Sequence, residues 1–236
     1  MKRSADHAEV VIVGGAIVGS AVAAFLAMRP DAPRRIVVVE RDPTYRTSST
    51  TLSAASIRQQ FSTAVNIEIS RFGISVIKDL DRWLGVPGDP PLDIDFVEGG
   101  YLFLATDAGL ATLEHNHALQ REHDAPVALL GPMELRQRFP WLNVEDIAAG
   151  SLGLADEGWF DAHALLQAFR RRARSLGVEY VTDEVTSLEC DRSRITAARL
   201  ANGGSIGLDW VVDAAGPRAA EVAALAGLDL PVRPRK

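Results

Sequence analysis

The sequence predicts an α/β fold: a parallel sheet interleaved with helices and interrupted by an inserted α+β segment. Three observations carry this. The stretch Glu9-Val-Val-Ile-Val-Gly-Gly-Ala-Ile-Val-Gly19 is a strand that breaks at Gly14-Gly15 and restarts as a helix. A second β-branched run, Arg35-Ile-Val-Val-Val-Glu40, ends in a carboxylate about 20 residues past Gly19. Far downstream, Trp210-Val-Val-Asp213 runs straight into Ala214-Ala-Gly216-Pro217, another strand ending in small residues at a helix start.

The uninterrupted run Val10 to Val13 is the pattern of a strand buried on both faces. The helix after it passes through Ala21, Ala24, Leu26 and Met28 and stops at Pro30. Gly14, Ala16 and Gly19 stand where the dinucleotide fingerprint G-x-G-x-x-G has its glycines. Gly14 permits the tight turn, and Gly19 lets helix and strand pack closely. The middle position lets the backbone approach a pyrophosphate at the helix N-terminus, and Ala16 brings one methyl more than the consensus there. Glu40 has the spacing of an acceptor for a ribose hydroxyl, set against the plainer reading of a solvated strand end. Arg41 beside it leaves a 2′-phosphate open. These features make the parallel part Rossmann-like.

The loop from Arg41 to Ala55 contains Thr47-Ser-Ser-Thr-Thr-Leu-Ser53, either room and hydroxyl donors for a ligand or a surface loop. Arg58 follows closely. Its guanidinium can grip a carboxylate through two parallel hydrogen bonds, or form a surface ion pair. Residues 66–84 predict one helix with Ile69, Phe72, Val76, Leu80 and Trp83 as its apolar stripe, ended by Gly85.

Composition shifts at Gly88-Asp-Pro-Pro91. Ile94 to Val97 and Tyr101 to Ala105, hinged at Gly99-Gly100, predict an antiparallel hairpin. A polar helix from about Asp107 to His123, a short strand Val127 to Leu130 and a helix at Pro132 to Phe139 complete an insert of residues 89–153. The nucleotide-binding domain is thus expected as 1–88 and 154–236. His115, His117 and His123 lack companions for a ligand set, so no metal is expected. Asp161 opens a helix whose Arg170, Arg171, Arg172 and Arg174 fit a solvated end near the negative pole of the dipole. Strands follow at Val178 to Val181, Glu184 to Cys190, Ile195 to Leu200 and Ser205 to Leu208, before Trp210 to Asp213.

Size and charge narrow the function. The 236 residues are 47% hydrophobic, enough for a real core, and a net charge of −6 with no basic stripe argues against nucleic acid. One cysteine, Cys190, excludes an internal disulfide and fits a reducing compartment, the cytoplasm. No transmembrane segment and no secretory signal are evident.

Together these stretches resemble the D-amino-acid-oxidase-like superfamily of FAD-dependent oxidoreductases, which includes glycine oxidase, sarcosine oxidase and dehydrogenase, and dimethylglycine dehydrogenase. The carriers are Val11 to Gly19, Val38-Val-Glu-Arg41, Gly158-Trp-Phe-Asp161, Leu176-Gly-Val178 and Val211 to Pro217. The run Ser53 to Ser62 with Asn66-Ile-Glu-Ile is similar to the sarcosine-dehydrogenase-like branch. The resemblance implies an FAD-binding domain of the GR2 type with an inserted substrate domain. Gly14, Gly15, Ile17, Val18 and Gly19 would hold the pyrophosphate, with Ala16 at the middle position, and Glu40 the adenosine ribose. Arg41 would border the adenosine; Ser48 and Ser49 would lie along the diphosphate and ribityl chain. Val185 would meet the adenine through its backbone, and Ala214, Ala215 and Gly216 would complete the cradle. Arg58 matches an arginine near the flavin and the substrate carboxylate, which makes it the catalytic-site candidate.

The chain departs from that pattern in places. Ser53 stands where the dimethylglycine-dehydrogenase branch carries a flavin-linked histidine, so covalent attachment is not expected. Arg218 replaces a frequent aromatic. Family members run on well past Lys236, so a second chain or a C-terminal half is expected to complete the site. The expected activity is oxidation of the C–N bond of a small amine or N-substituted amino acid by hydride transfer to flavin N5. A nicotinamide-dependent Rossmann dehydrogenase and a non-catalytic nucleotide-binding subunit are the alternatives.

Overall fold

The computed structural model describes residues 7–192 and 194–234. The described residues begin with β1 (His7–Val13), α1 (Ile17–Ala27) and β2 (Ile36–Glu40). Next come β3 (Ser56–Ile57), α2 (Ala64–Lys78), α3 (Leu80–Leu84), β4 (Val97–Glu98), β5 (Leu102–Ala105) and α4 (Asp107–Glu122). Then follow β6 (Val127–Leu130), α5 (Pro132–Arg138), β7 (Ala149–Gly153), β8 (Gly158–Trp159) and α6 (Ala162–Ser175). The last elements are β9 (Glu179–Thr182), β10 (Val185–Asp191), β11 (Arg194–Leu200), β12 (Ser205–Asp213), a 3₁₀ turn at Gly216–Arg218 and α7 (Ala219–Ala224).

Two compact units emerge. The first takes the chain through Ser53, then Leu84–Leu92, then everything from Ala162; the second takes Ala54–Trp83 and Asp93–Asp161. Residues 54–83, which the sequence boundaries set beside the glycine-rich turn, therefore pack with the second unit.

The first unit is a six-stranded sheet in the order β10-β11-β12-β1-β2-β9. Strands β12, β1, β2 and β9 are parallel; β10, β11 and β12 are joined antiparallel. Both faces of the central strands are covered, as their unbroken apolar runs require. Val11, Val13, Val37 and Val39 join Leu188, Leu200, Leu208 and Val222 in one cluster. The alternate residues Val10, Ile12, Ile36 and Val38 are buried as well. Helix α1 buries only small residues, Gly19, Ser20, Ala23 and Ala24, and its Phe25 ring lies 5.9 Å from Phe169 of α6. This is the Rossmann-like mixed α/β architecture that the fingerprint implies. The two short strands expected at 205–208 and 210–213 are one continuous β12, because β1 pairs along it from His7↔Gly207 to Val13↔Asp213.

The second unit holds two antiparallel three-stranded sheets, β3-β8-β4 and β5-β7-β6. The expected hairpin at Gly99-Gly100 does not form. Strand β4 pairs with β8 and β5 with β7, and both glycine N–H groups donate to the carbonyl of Glu157. A carbonyl outside the turn has claimed the amides that a hairpin would use. The helix expected at 66–84 breaks at Asp79 into α2 and α3, and its buried face is Ile67, Ile74, Val76 and Ile77. Ile69 and Phe72, placed on the apolar stripe by sequence, are 63% and 47% exposed. Apolar residues occur on two faces of this helix, so spacing alone admits both registers; Phe72 packs edge-on against Trp83 at 5.5 Å instead. No helix among the described residues is long and apolar enough to cross a membrane, and no cluster of His, Cys, Asp or Glu there can hold a metal.

Candidate functional site

At the carboxyl ends of β1 and β12 the two small-residue turns meet. The Gly14 N–H donates to Val39 O at 2.9 Å, and the Ala214 N–H donates to Val13 O at 2.9 Å. Gly14 has a φ of +97°, and a Cβ there would lie 2.5 Å from the Ala214 carbonyl oxygen, so only glycine fits. Gly19 is held as tightly: its Cβ would lie 1.9 Å from the Gly14 carbonyl oxygen. The corner opens into a cleft of about 620 Å³, the size of a small-molecule or cofactor site at the carboxyl edge of a parallel sheet.

Most residues proposed from sequence line this cleft: Gly14, Ala16, Val18, Glu40, Arg41, Ser48, Ser49, Val185, Ala214, Ala215 and Gly216. Gly15, Ile17 and Gly19 do not line it. The Gly15 N–H donates to Glu40 Oε2 at 2.7 Å, and the Asp42 N–H to Glu40 Oε1 at 2.8 Å. Glu40 therefore fixes the glycine-rich turn from the next strand and also lines the cleft. Ala16 is the N-cap residue of α1 and has an extended backbone. The Ile17 N–H donates to Thr50 Oγ1 at 3.3 Å. Among the hydroxyls of the Ser/Thr loop, Ser48 bonds the backbone N–H of Thr51. The remaining amides at the start of α1, with the positive end of its dipole, suit a diphosphate.

The sequence reading missed Thr50, Asp183, Thr186 and Leu225, all in the wall. Thr50 alone had a signal, its place in the Ser/Thr run. The far rim is ionic. Arg218 pairs with Glu184 at 2.7 Å and with Glu221 at 2.6 Å, and these hydrogen bonds, Glu184 first, raise its pKa. Arg41 reaches the same Glu184 at 3.9 Å.

A second layer braces the turn from below. Tyr180 donates to Ser20 Oγ at 3.0 Å, and Ser20 donates to the Gly15 carbonyl at 2.7 Å. Arg170 stacks over the rings of Tyr45 and Tyr180 at 5.4 and 5.3 Å, and Arg174 over Tyr180 at 5.1 Å. The arginine cluster of α6 is thus only partly the solvated helix end expected from sequence. Two of its members lie on tyrosines, and Arg172 donates to the Gly85 carbonyl.

Tyr45 is 1% exposed, and its hydroxyl has no hydrogen-bond partner among the described residues. Burial pushes its phenol up from 10 to about 12. The folded chain thus keeps the proton where the unfolded chain releases it. The stability this group provides is intact below pH 10 and is lost as pH rises toward about 12. Tyr45→Phe is expected to remove that alkaline loss, on the order of 2 kcal/mol at its upper end. It should cost little at neutral pH, since no hydrogen bond is lost. Urea unfolding of both proteins at neutral and alkaline pH checks this.

Arg58 lies in the second unit. Its guanidinium carbon is 4.7 Å from the centre of the Phe61 ring, 5.5 Å from Phe103 and 5.7 Å from Tyr101. Its Nε is buried without a hydrogen-bond partner among the described residues. A guanidinium beside three aromatic rings, with its Nε–H unpaired, retains donor capacity for an anionic group.

Residues 9–236 match the family described as FAD dependent oxidoreductase. FAD-dependent oxidoreductase domain-containing protein 1 of Xenopus laevis is 38% identical over 98% of this chain and 52% of its own length. Dimethylglycine dehydrogenase of Rattus norvegicus is 30% identical over 97% of this chain and 26% of its own length. The chain spans about half the length of the first of these curated relatives and a quarter of the second. Among solved structures, L-proline dehydrogenase from P. horikoshii superposes with a TM-score of 0.80 at 26% identity, covering 94% of this chain and 56% of that one. Glycine oxidase from Geobacillus kaustophilus gives 0.77 at 26% identity, over 97% and 60%.

Proposed function

The chain belongs to the FAD dependent oxidoreductase family, and on that premise we propose that it serves the oxidation of the C–N bond of a small amine or N-substituted amino acid. FAD is the cofactor of this family, and the cleft suits it. When bound, FAD would supply the two-electron redox chemistry, as acceptor for a hydride from the carbon beside the nitrogen of the neutral amine, leaving an iminium for water to hydrolyse.

This chain's own residues bind and orient. The amides at the start of α1 that are not already bonded face the diphosphate, the small residues at Gly14 and Ala214 leave it room, and Glu40 receives a ribose hydroxyl. Val185, Arg41 and the Arg218–Glu184 pair border the adenosine, and Ser48 and Ser49 run along the diphosphate and ribityl chain. We assign FAD to the first unit and the substrate to the second, where Arg58 holds a substrate carboxylate. No general base is required, because a neutral amine gives up its hydride unaided. The relatives are longer, so the complete reaction is proposed with that remaining length present, on this polypeptide or on a second chain. The lone cysteine keeps the cytoplasm as the proposed location.

The observation that carries the reading is the meeting of two small-residue turns on one cleft with Glu40 at its wall. Family membership sets the nicotinamide alternative aside. Purified protein is expected to be yellow, to release FAD on denaturation, and to rebind it with quenching of flavin fluorescence. Protein that is colourless and takes up no added FAD, or that responds to NADH instead, overturns the proposal. Assays with sarcosine, dimethylglycine and proline, with and without the remaining length, then separate a catalytic chain from a nucleotide-binding subunit.

A further inference from the structure

Glu157 is 0% exposed, a carboxylate in the interior of the second unit. Burying such a group is costly unless donors surround it. Its Oε1 receives the Gln59 N–H at 2.7 Å; its Oε2 receives the Tyr101 N–H at 3.0 Å and the Gln60 side-chain amide at 3.0 Å. Its own carbonyl receives the N–H groups of Gly99 and Gly100 at 3.2 and 3.0 Å. One residue thus gathers three successive amides, 99 to 101, and ties them to the segment at 59–60. The two segments it joins carry the Arg58 site: Arg58 immediately precedes Gln59, and Tyr101 supplies one of the rings beside the guanidinium. Gln60 closes the loop by donating to the Tyr101 carbonyl at 3.0 Å and accepting from Ser151 at 2.7 Å.

We propose that Glu157 is a positioning residue for substrate binding: its buried carboxylate fixes the distance between the Arg58 segment and the Tyr101 ring, and so presents the guanidinium to a carboxylate-bearing substrate. This rests on the reading of Arg58 as the carboxylate anchor. An apolar residue in this place would leave the N–H groups of Gln59 and Tyr101 without their acceptor. The chemistry specifies an acceptor at both oxygens. Glutamine has the same shape but turns an NH₂ toward at least one donor.

The test uses the full chain loaded with FAD and reads the Arg58 Nε–H resonance by nitrogen NMR, assigned by its loss in Arg58→Lys. In the wild type the three ring faces shift this resonance, and added acetate moves it further. Glu157→Gln is expected to lose most of the ring shift and to weaken the acetate response about tenfold, the size of one misplaced charge-assisted contact. FAD affinity, a property of the first unit, should stay within about twofold. Glu157→Asp, which keeps both acceptors, should restore part of each effect. If Glu157→Gln fails to fold, Glu157→Asp and Tyr101→Leu carry the test, and an unchanged ring shift in Glu157→Asp then counts against the proposal. Unaltered ring shift and acetate response in Glu157→Gln overturn it. Should acetate fail to move Arg58 in the wild type while Glu157→Gln still abolishes the ring shift, the anchor reading falls and takes the substrate-binding role of Glu157 with it, leaving only a structural brace.

Discussion

Gly19→Val is expected to abolish FAD binding and to destabilise the first unit. Any Cβ at this position would lie 1.9 Å from the Gly14 carbonyl oxygen and 3.0 Å from its carbon, and 3.3 Å from the Ala214 side chain. The first two obstacles are backbone, which cannot rotate aside as a side chain can. Helix α1 must then lift from β1, and the amides at its start leave the turn they share with Ala214. Overpacking of this kind costs about 3 kcal/mol, and displacing the amides proposed to face the diphosphate adds an expected loss in affinity on the order of a hundredfold or more. A comparison isolates the cause. Gly177, at the end of α6, has φ +90° but nothing within 4 Å of its missing Cβ. Gly177→Ala should therefore cost only the strain of a left-handed residue, about 1 kcal/mol, and leave FAD binding unchanged. Calorimetric titration with FAD and thermal unfolding of both variants check the contrast. Equal losses in the two would mean that the Gly14–Gly19 contact is not what holds the turn.

That glycine was legible in the sequence because its constraint is local: only four residues separate it from Gly14, within one strand-turn-helix. The parallel strands were legible for a related reason, since Val10 to Val13 and Ile36 to Val39 are apolar at every position and only a sheet covered on both faces uses such runs. Failures begin where the partner of a residue is distant in the chain. The amides of Gly99 and Gly100 looked like a hairpin turn, yet they belong to Glu157, some sixty residues on. Nothing in the run Asp156-Glu-Gly-Trp announces a buried acid, because burial is conferred by the chains at 59 and 101. Helix α2 failed differently. Its apolar residues outnumber what one face can bury, and only tertiary packing chooses Ile67 and Ile74 over Ile69 and Phe72.

The candidate site divides along the same line. Gly14, Ala16 and Ala214 could be placed because small residues at strand ends are a local pattern. Thr50 and the Tyr45–Arg170 stack could not, since each acts by reaching across from another element. Glu40 stands between the two cases. Its spacing from Gly19 marks it, but the spacing speaks only of a ribose. It is silent on the bond to Gly15, which gives this side chain a role in shaping the turn before any ligand arrives.

That second role sets the size of the effect expected for Glu40→Gln. Glu40 receives two N–H donors on its two oxygens, from Gly15 at 2.7 Å and from Asp42 at 2.8 Å. A glutamine offers one acceptor and one NH₂, so one of these amides must face another donor. Leaving such a half-buried N–H without an acceptor costs about 1–3 kcal/mol. If the misplaced amide is that of Gly15, the glycine-rich turn loosens as well, and the ribose loses its charged acceptor. Affinity for FAD is then expected to fall between about tenfold and a hundredfold. The loss should be as large for adenosine diphosphate, which contains every group that Glu40 and the turn address, and absent for riboflavin, which lacks both the adenosine and the diphosphate. Glu40→Asp, with two acceptors on a shorter stem, should fall between wild type and Glu40→Gln. Titrations with the three ligands decide the matter. Unchanged affinity for adenosine diphosphate in Glu40→Gln would show that the carboxylate faces no nucleotide, and the assignment of the cleft to FAD would have to be withdrawn.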